Sequence, residues 1–119
     1  MSTPRLCSGV AVLDNKIYVS GGCTRAIGKT LSDVDCYDPV TNNWSQVAKM
    51  NIEREGHELV SLHGKLYAIG GYNGTFGESD VVHSAEVYDP SNNTWTLIQS
   101  EVEGRVGCGA GLIKKYYVV

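Results

Sequence analysis

One phrase occurs twice in this chain and limits what it can become. Tyr18-Val19-Ser20-Gly21-Gly22 returns as Tyr67-Ala68-Ile69-Gly70-Gly71, each copy set in the same punctuation. An Arg stands sixteen positions before each diglycine (Arg5, Arg54). A Tyr-Asp-Pro follows it (Tyr37-Asp38-Pro39, Tyr88-Asp89-Pro90), and a Trp lies seven residues past that Tyr (Trp44, Trp95). From Arg5 to Arg54 is 49 residues and from Arg54 to Arg105 is 51. Such a period marks a repeat architecture, in which each unit is one supersecondary module that buries its apolar surface against its neighbours. The units read as residues 1–53, 54–104 and a partial third, 105–119.

The two extra residues can be placed. The Arg-to-diglycine interval is constant, and so is the ten-residue interval from each Trp to the next Arg. The difference therefore falls between Gly22 and Tyr37 in one copy and Gly71 and Tyr88 in the other. A constant frame carrying one loop of changing length is the form expected where recognition is placed on a rigid scaffold.

Each copy reads as four short strands. Ser8 to Leu13 and Lys16 to Ser20 form a hairpin around Asp14-Asn15, and His57 to Leu62 and Lys65 to Ile69 form its counterpart around His63-Gly64. Small residues near the first strand (Ser8, Gly9, Ala11, Gly56) suit the crowded inner rim of a radial array. The diglycines Gly21-Gly22 and Gly70-Gly71 close the second strand where only a backbone without Cβ fits. After the variable loop, a third strand runs from Asp33 to Tyr37 and from Ser84 to Tyr88, ended by Asp-Pro because proline offers no ladder donor. The fourth begins at the Trp: Trp44 to Val47 and Trp95 to Ile98. Tyr37, Trp44, Tyr88 and Trp95 are expected to fill the space between adjoining sheets. No stretch carries an apolar face at helical spacing, so the chain is all-β.

Composition narrows the function. The 119 residues carry net charge -3 and are 42% hydrophobic, which points to a folded chain. The 10 Lys and Arg are scattered, which argues against nucleic acid. No apolar run approaches the roughly 18 residues needed to cross a membrane as a helix, so the expected compartment is cytoplasmic, with nuclear or cytoskeletal placement also open. Cys7, Cys23, Cys36 and Cys108 lack the paired spacing of a zinc or redox motif, and reduced thiols are expected. Cys36 stands where the second copy has Val87 and reads as a small buried hydrophobe. Cys23, after a diglycine, reads as accessible.

Diglycine, Tyr-Asp-Pro, Trp and Arg in this order resemble the kelch repeat, a four-stranded propeller blade, and most nearly the kelch domain of BTB-kelch (Kelch-like) proteins. The resemblance spans two blades, about 5–49 and 54–100, and Arg105-Val106-Gly107-Cys108-Gly109-Ala110-Gly111 matches the opening of a third. It implies a kelch-type β-propeller fragment, two complete four-stranded blades plus the first hairpin of another. Propellers close with roughly 4 to 8 blades, so the chain is expected to be part of a longer protein. In that family an amino-terminal BTB domain dimerises and binds a cullin scaffold while the propeller presents substrates for ubiquitination. The resemblance thus implies a protein-interaction module, the substrate-recognition part of a ligase adaptor. Cullin would be reached only through a BTB domain outside this chain. An actin-associated or other scaffolding kelch protein is the alternative.

In such propellers the partner docks on the face made by the loops between second and third strands and the links leading into each first strand. The links hold Arg5, Arg54 and Arg105, and the loops hold Arg25, Tyr72, Asn73 and Phe76. Converging guanidinium groups would suit an acidic peptide, while the same arginines could instead bond carbonyls between blades. Tyr72 and Phe76 are aromatic anchors of the kind interfaces favour. No cofactor, metal or catalytic set is expected. His57, His63 and His83 fall in unlike places, and a kelch-propeller oxidase would need a Tyr/His/Cys constellation that the spacing does not assemble. Glu53, Glu55, Glu101 and Glu103 read as a solvated acidic rim.

Overall fold

The computed structural model describes residues 5–24, 28–74 and 80–98. Over them the chain forms twelve strands: β1 (Gly9–Leu13), β2 (Lys16–Ser20), β3 (Cys23–Thr24), β4 (Lys29–Thr30), β5 (Val34–Asp38) and β6 (Asn43–Val47), then β7 (Glu58–Leu62), β8 (Lys65–Ile69), β9 (Tyr72–Asn73), β10 (Asp80–Val81), β11 (Ala85–Asp89) and β12 (Thr94–Ile98). Two four-stranded sheets result, ordered β1-β2-β5-β6 and β7-β8-β11-β12, with neighbours antiparallel throughout. Their registers correspond: Ile17 pairs with Tyr37 as Leu66 does with Tyr88, and Tyr37 pairs with Trp44 as Tyr88 does with Trp95. No helix occurs among the described residues. The expected fourth strands start one residue early, at Asn43 and Thr94, because those residues already pair with Asp38 and Asp89.

Local chemistry explains the strand ends. The hairpin turns need left-handed backbone, and Asp14, Asn15, His63 and Gly64 take φ of 51°, 61°, 51° and 76°. Asp and Asn tolerate this region because short polar side chains bond locally. After each third strand, Asp38 Oδ1 accepts from Val40 N and Asp89 Oδ1 from Ser91 N, both at 2.9 Å, making an Asx turn of the same form. Asn42 and Asn93 close the turn with φ of 56° and 54°. Their side-chain oxygens accept the Tyr37 and Tyr88 hydroxyls.

The core lies between the sheets. Leu13, Tyr18, Val34 and Cys36 of the first meet Leu59, Leu66, Ala68, Tyr88 and Trp95 of the second. Gly9 lets the inner strands approach, since a Cβ there would lie 2.8 Å from both Leu59 Cβ and His57 Nε2. The Trp95 indole donates to Ala48 O at 2.9 Å across the boundary, so Tyr88 and Trp95 fill intersheet space as expected. Tyr37 and Trp44 do not. Trp44 is 43% exposed, because the face of the first sheet that carries it, with Val10 and Val12, has no described sheet against it.

Candidate interaction face

Links, diglycines and variable loops meet along one edge of the two sheets. Cys7 and the diglycines reach it through left-handed backbone, with Gly21, Gly22, Gly70 and Gly71 at φ of 59°, 93°, 66° and 90°. A Cβ on Gly22 would stand 2.6 Å from Leu6 O, and one on Gly71 would stand 2.6 Å from Glu55 O. A Cβ on Gly21 would run into Arg54 O. Each link crosses directly beneath a diglycine, which is why no side chain fits there.

Past the diglycine, the described residues of each variable loop pair into short strands. β3 and β4 pair as one small hairpin, and β9 and β10 as another. Each hairpin's first residue is also bridged to the link, Cys23 to Leu6 and Tyr72 to Glu55. Leu6 and Cys23 exchange backbone bonds of 3.0 and 2.9 Å, Glu55 and Tyr72 bonds of 2.9 and 2.8 Å. The two hairpins are tied together through Thr30, whose hydroxyl donates to Glu55 Oε2 at 3.0 Å and accepts from Gly74 N at 2.8 Å. Two-residue strands carry no readable period, so these hairpins escaped sequence reading.

Two of the link arginines, Arg5 and Arg54, turn inward instead of facing a partner. Arg54 is fully buried. It donates to Gly70 O at 3.1 Å, Ser84 O at 2.7 Å and Ser84 Oγ at 3.0 Å, and it pairs with Glu86 at 3.2 Å. Arg5 repeats this in the first sheet, donating to Gly21 O and Asp33 O and pairing with Asp35, its side chain 2% exposed. The expected rim of guanidinium groups is corrected here: both groups turn inward to satisfy carbonyls where second and third strands diverge. The bonds lie within a blade. Arg54's backbone makes the junction between blades, its N–H donating to Leu31 O at 3.0 Å and its carbonyl accepting from Gly22 N at 2.8 Å. Burial lowers the Arg54 pKa, and the Glu86 carboxylate opposes that. Asp35 and Glu86, the acids that hold these arginines, were missed by sequence reading. The signal was available, since both stand two residues before the repeated Tyr.

Tyr72 and Asn73 sit half-buried at the root of the β9–β10 hairpin, among exposed Lys29, Asp80 and Val81 on the same edge. Arg25, Phe76 and Arg105 lie outside the described residues, as do Glu101, Glu103, Cys108 and the partial third unit. Of the histidines, His63 and His83 are exposed and His57 is buried. His57 Nε2 lies 2.8 Å from Ser20 Oγ across the intersheet boundary, and its Nδ1 has no hydrogen-bond partner among the described residues. Burial, with the Arg54 charge, pushes its pKa down to about 3, so the ring is neutral. Among the described residues no group of three or more His, Cys, Asp or Glu side chains could hold a metal ion, and no helix is long and apolar enough to cross a membrane.

Repeated four-stranded antiparallel sheets stacked face to face, with a loop-bearing edge, define a β-propeller architecture of blades. The Kelch motif matches residues 4–51 and 53–100, and the chain belongs to the kelch-repeat family. It is similar to an F-box/kelch-repeat protein of Arabidopsis thaliana, 38% identical over 113 residues, which are 92% of this chain and 29% of that protein. Against Kelch-like protein 15 of Homo sapiens the identity is 35% over 127 residues, 91% of this chain and 20% of the relative. The solved structure of YjhT superposes with a TM-score of 0.72 over 87% of this chain and 41% of its own, at 23% identity. The chain therefore spans less than a third of the length of these curated relatives.

Proposed function

We propose that the edge formed by the links and the β3–β4 and β9–β10 hairpins holds a protein partner. The parent protein would use it as the substrate-recognition part of a cullin-type ubiquitin-ligase adaptor in the cytoplasm. One observation carries this reading: at equivalent places the backbone bonds repeat while the side chains do not. Leu6 stands against Glu55 and Cys23 against Tyr72, within identical bridges. A repeated frame with unlike side chains suits one particular protein surface. Relatives named both Kelch-like and F-box/kelch-repeat support the adaptor role. Tyr72 is the aromatic anchor, Asn73 its polar neighbour, and Arg25 and Phe76 supply further contacts. This is a binding reading; His57, the one buried imidazole among the described residues, is committed to the boundary between blades.

A photo-crosslinking amino acid at position 72 of the full-length protein tests this. The expected result is a discrete protein crosslink that accumulates when the proteasome is inhibited, with a cullin co-purifying. Full-length protein without cullin overturns the adaptor role. Crosslinks from Ser45 on the fourth strand, with none from position 72, overturn the choice of face.

A further inference from the structure

Two departures from the repeat meet at one point. Cys7 stands where the second copy has Gly56, and Cys23 where it has Tyr72. The bridge between Leu6 and Cys23 sets Cys7 one residue from Cys23's ladder partner. The Cys7 and Glu55 side chains both bear electrostatically on the Cys23 thiol, and Thr30 Oγ1 holds the Glu55 carboxylate in place at 3.0 Å. Cys7 is exposed and Cys23 half-buried, whereas Cys36 is sealed in the core.

The backbone adds an independent observation. Cys7 has φ of 58°, matching the 63° of Gly56. A side chain there is strained, and glycine would relieve it. Non-glycine residues held in this region concentrate at functional sites.

We propose that Cys7 and Cys23 form a dithiol modification site, which a small disulfide of the glutathione type closes into an intramolecular disulfide. The exposed Cys7 thiolate attacks one sulfur of glutathione disulfide, forming a mixed disulfide and releasing one reduced glutathione. Cys23 then attacks the Cys7 sulfur while Glu55 takes its proton; the Cys7–Cys23 bond forms and the second glutathione leaves reduced. The oxidant gains the two electrons that the thiols lose. Burial, with Glu55 and Cys7 alongside, raises the Cys23 pKa, which reserves the first step for Cys7. The closed bond pins the link to the root of the β3–β4 hairpin.

The complete chain is treated with glutathione disulfide, quenched in acid, alkylated and mapped by mass spectrometry. The expected product is a Cys7–Cys23 crosslink with Cys36 still unlabelled, the latter confirming that the fold persists. Cys23→Ser should trap glutathione on Cys7, Cys7→Ser should leave Cys23 reduced, and Glu55→Gln should slow closure several-fold while the first adduct forms at its usual rate. Persistent glutathione on Cys7 of the unaltered chain overturns the proposal. So does a crosslink from Cys7 to Cys108, or failure of either thiol to react.

Discussion

At Gly71 the backbone has φ of 90°, and a Cβ would meet Glu55 O at 2.6 Å and His57 Cβ at 2.8 Å. Gly71→Val adds conformational strain to a collision with backbone, and it should lower stability by about 2 to 4 kcal/mol. Equal urea midpoints for the variant and its parent would reject that. Arg54 and Glu86 are both fully buried, and Glu86 also accepts Asn51 N at 2.7 Å and Ile52 N at 3.1 Å. Removing the cation alone strands a carboxylate, so Arg54→Met should cost about 3 to 5 kcal/mol, read from the same denaturation. His57 responds to pH. Its pKa is about 3 in the fold against 6.5 ordinarily, so between those values the unfolded chain holds the extra proton. Stability is complete above 6.5 and declines as pH falls; between pH 7.5 and 5.5 the loss attributable to His57 is about 1 to 1.5 kcal/mol. His57→Gln should flatten that part of the slope. The sequence made the arginines and glycines conspicuous because identical residues recur. Asp35 and Glu86 differ in kind, so residue identity concealed a shared role that charge would have revealed.

At the scale of the sheet, the two tryptophans separate what the strand decides from what the neighbour decides. Tyr37–Trp44 and Tyr88–Trp95 make the same ring contact, with centroids 5.0 and 5.1 Å apart. Yet Trp95 is 8% exposed and Trp44 is 43% exposed. Trp95→Ala should lose about 3 to 5 kcal/mol, as expected for a large core aromatic, whereas Trp44→Ala should lose less than about 1.5 kcal/mol in this polypeptide. Equal losses in thermal unfolding would contradict the assignment. The strands themselves were legible to within a residue because turn chemistry fixes their ends. Burial of a repeated Trp was not, since it depends on which sheet lies opposite. The small hairpins were hidden for another reason: bonds to a link seventeen residues away in sequence build them, and local pattern does not record such partners.

For the molecule as a whole, the open face of the first sheet sets the behaviour. Val10, Val12 and Trp44 are exposed at 59%, 60% and 43%, and they occupy the positions that Leu59, Ser61 and Trp95 hold in the second sheet. There, Leu59 and Trp95 are covered by the neighbouring blade. An apolar face that docks on a different face of a second copy forms head-to-tail contacts, which need not close into a ring. The 119-residue polypeptide should therefore self-associate as its concentration rises, as judged by sedimentation velocity. Replacing Val12 and Trp44 together by Lys should suppress this, because each ammonium would have to be desolvated on docking. The paired substitution leaves the boundary between the two blades untouched, so cooperative melting should persist while the larger species disappear. A parent polypeptide that stays monomeric at every attainable concentration would mean that this face is already satisfied within the chain.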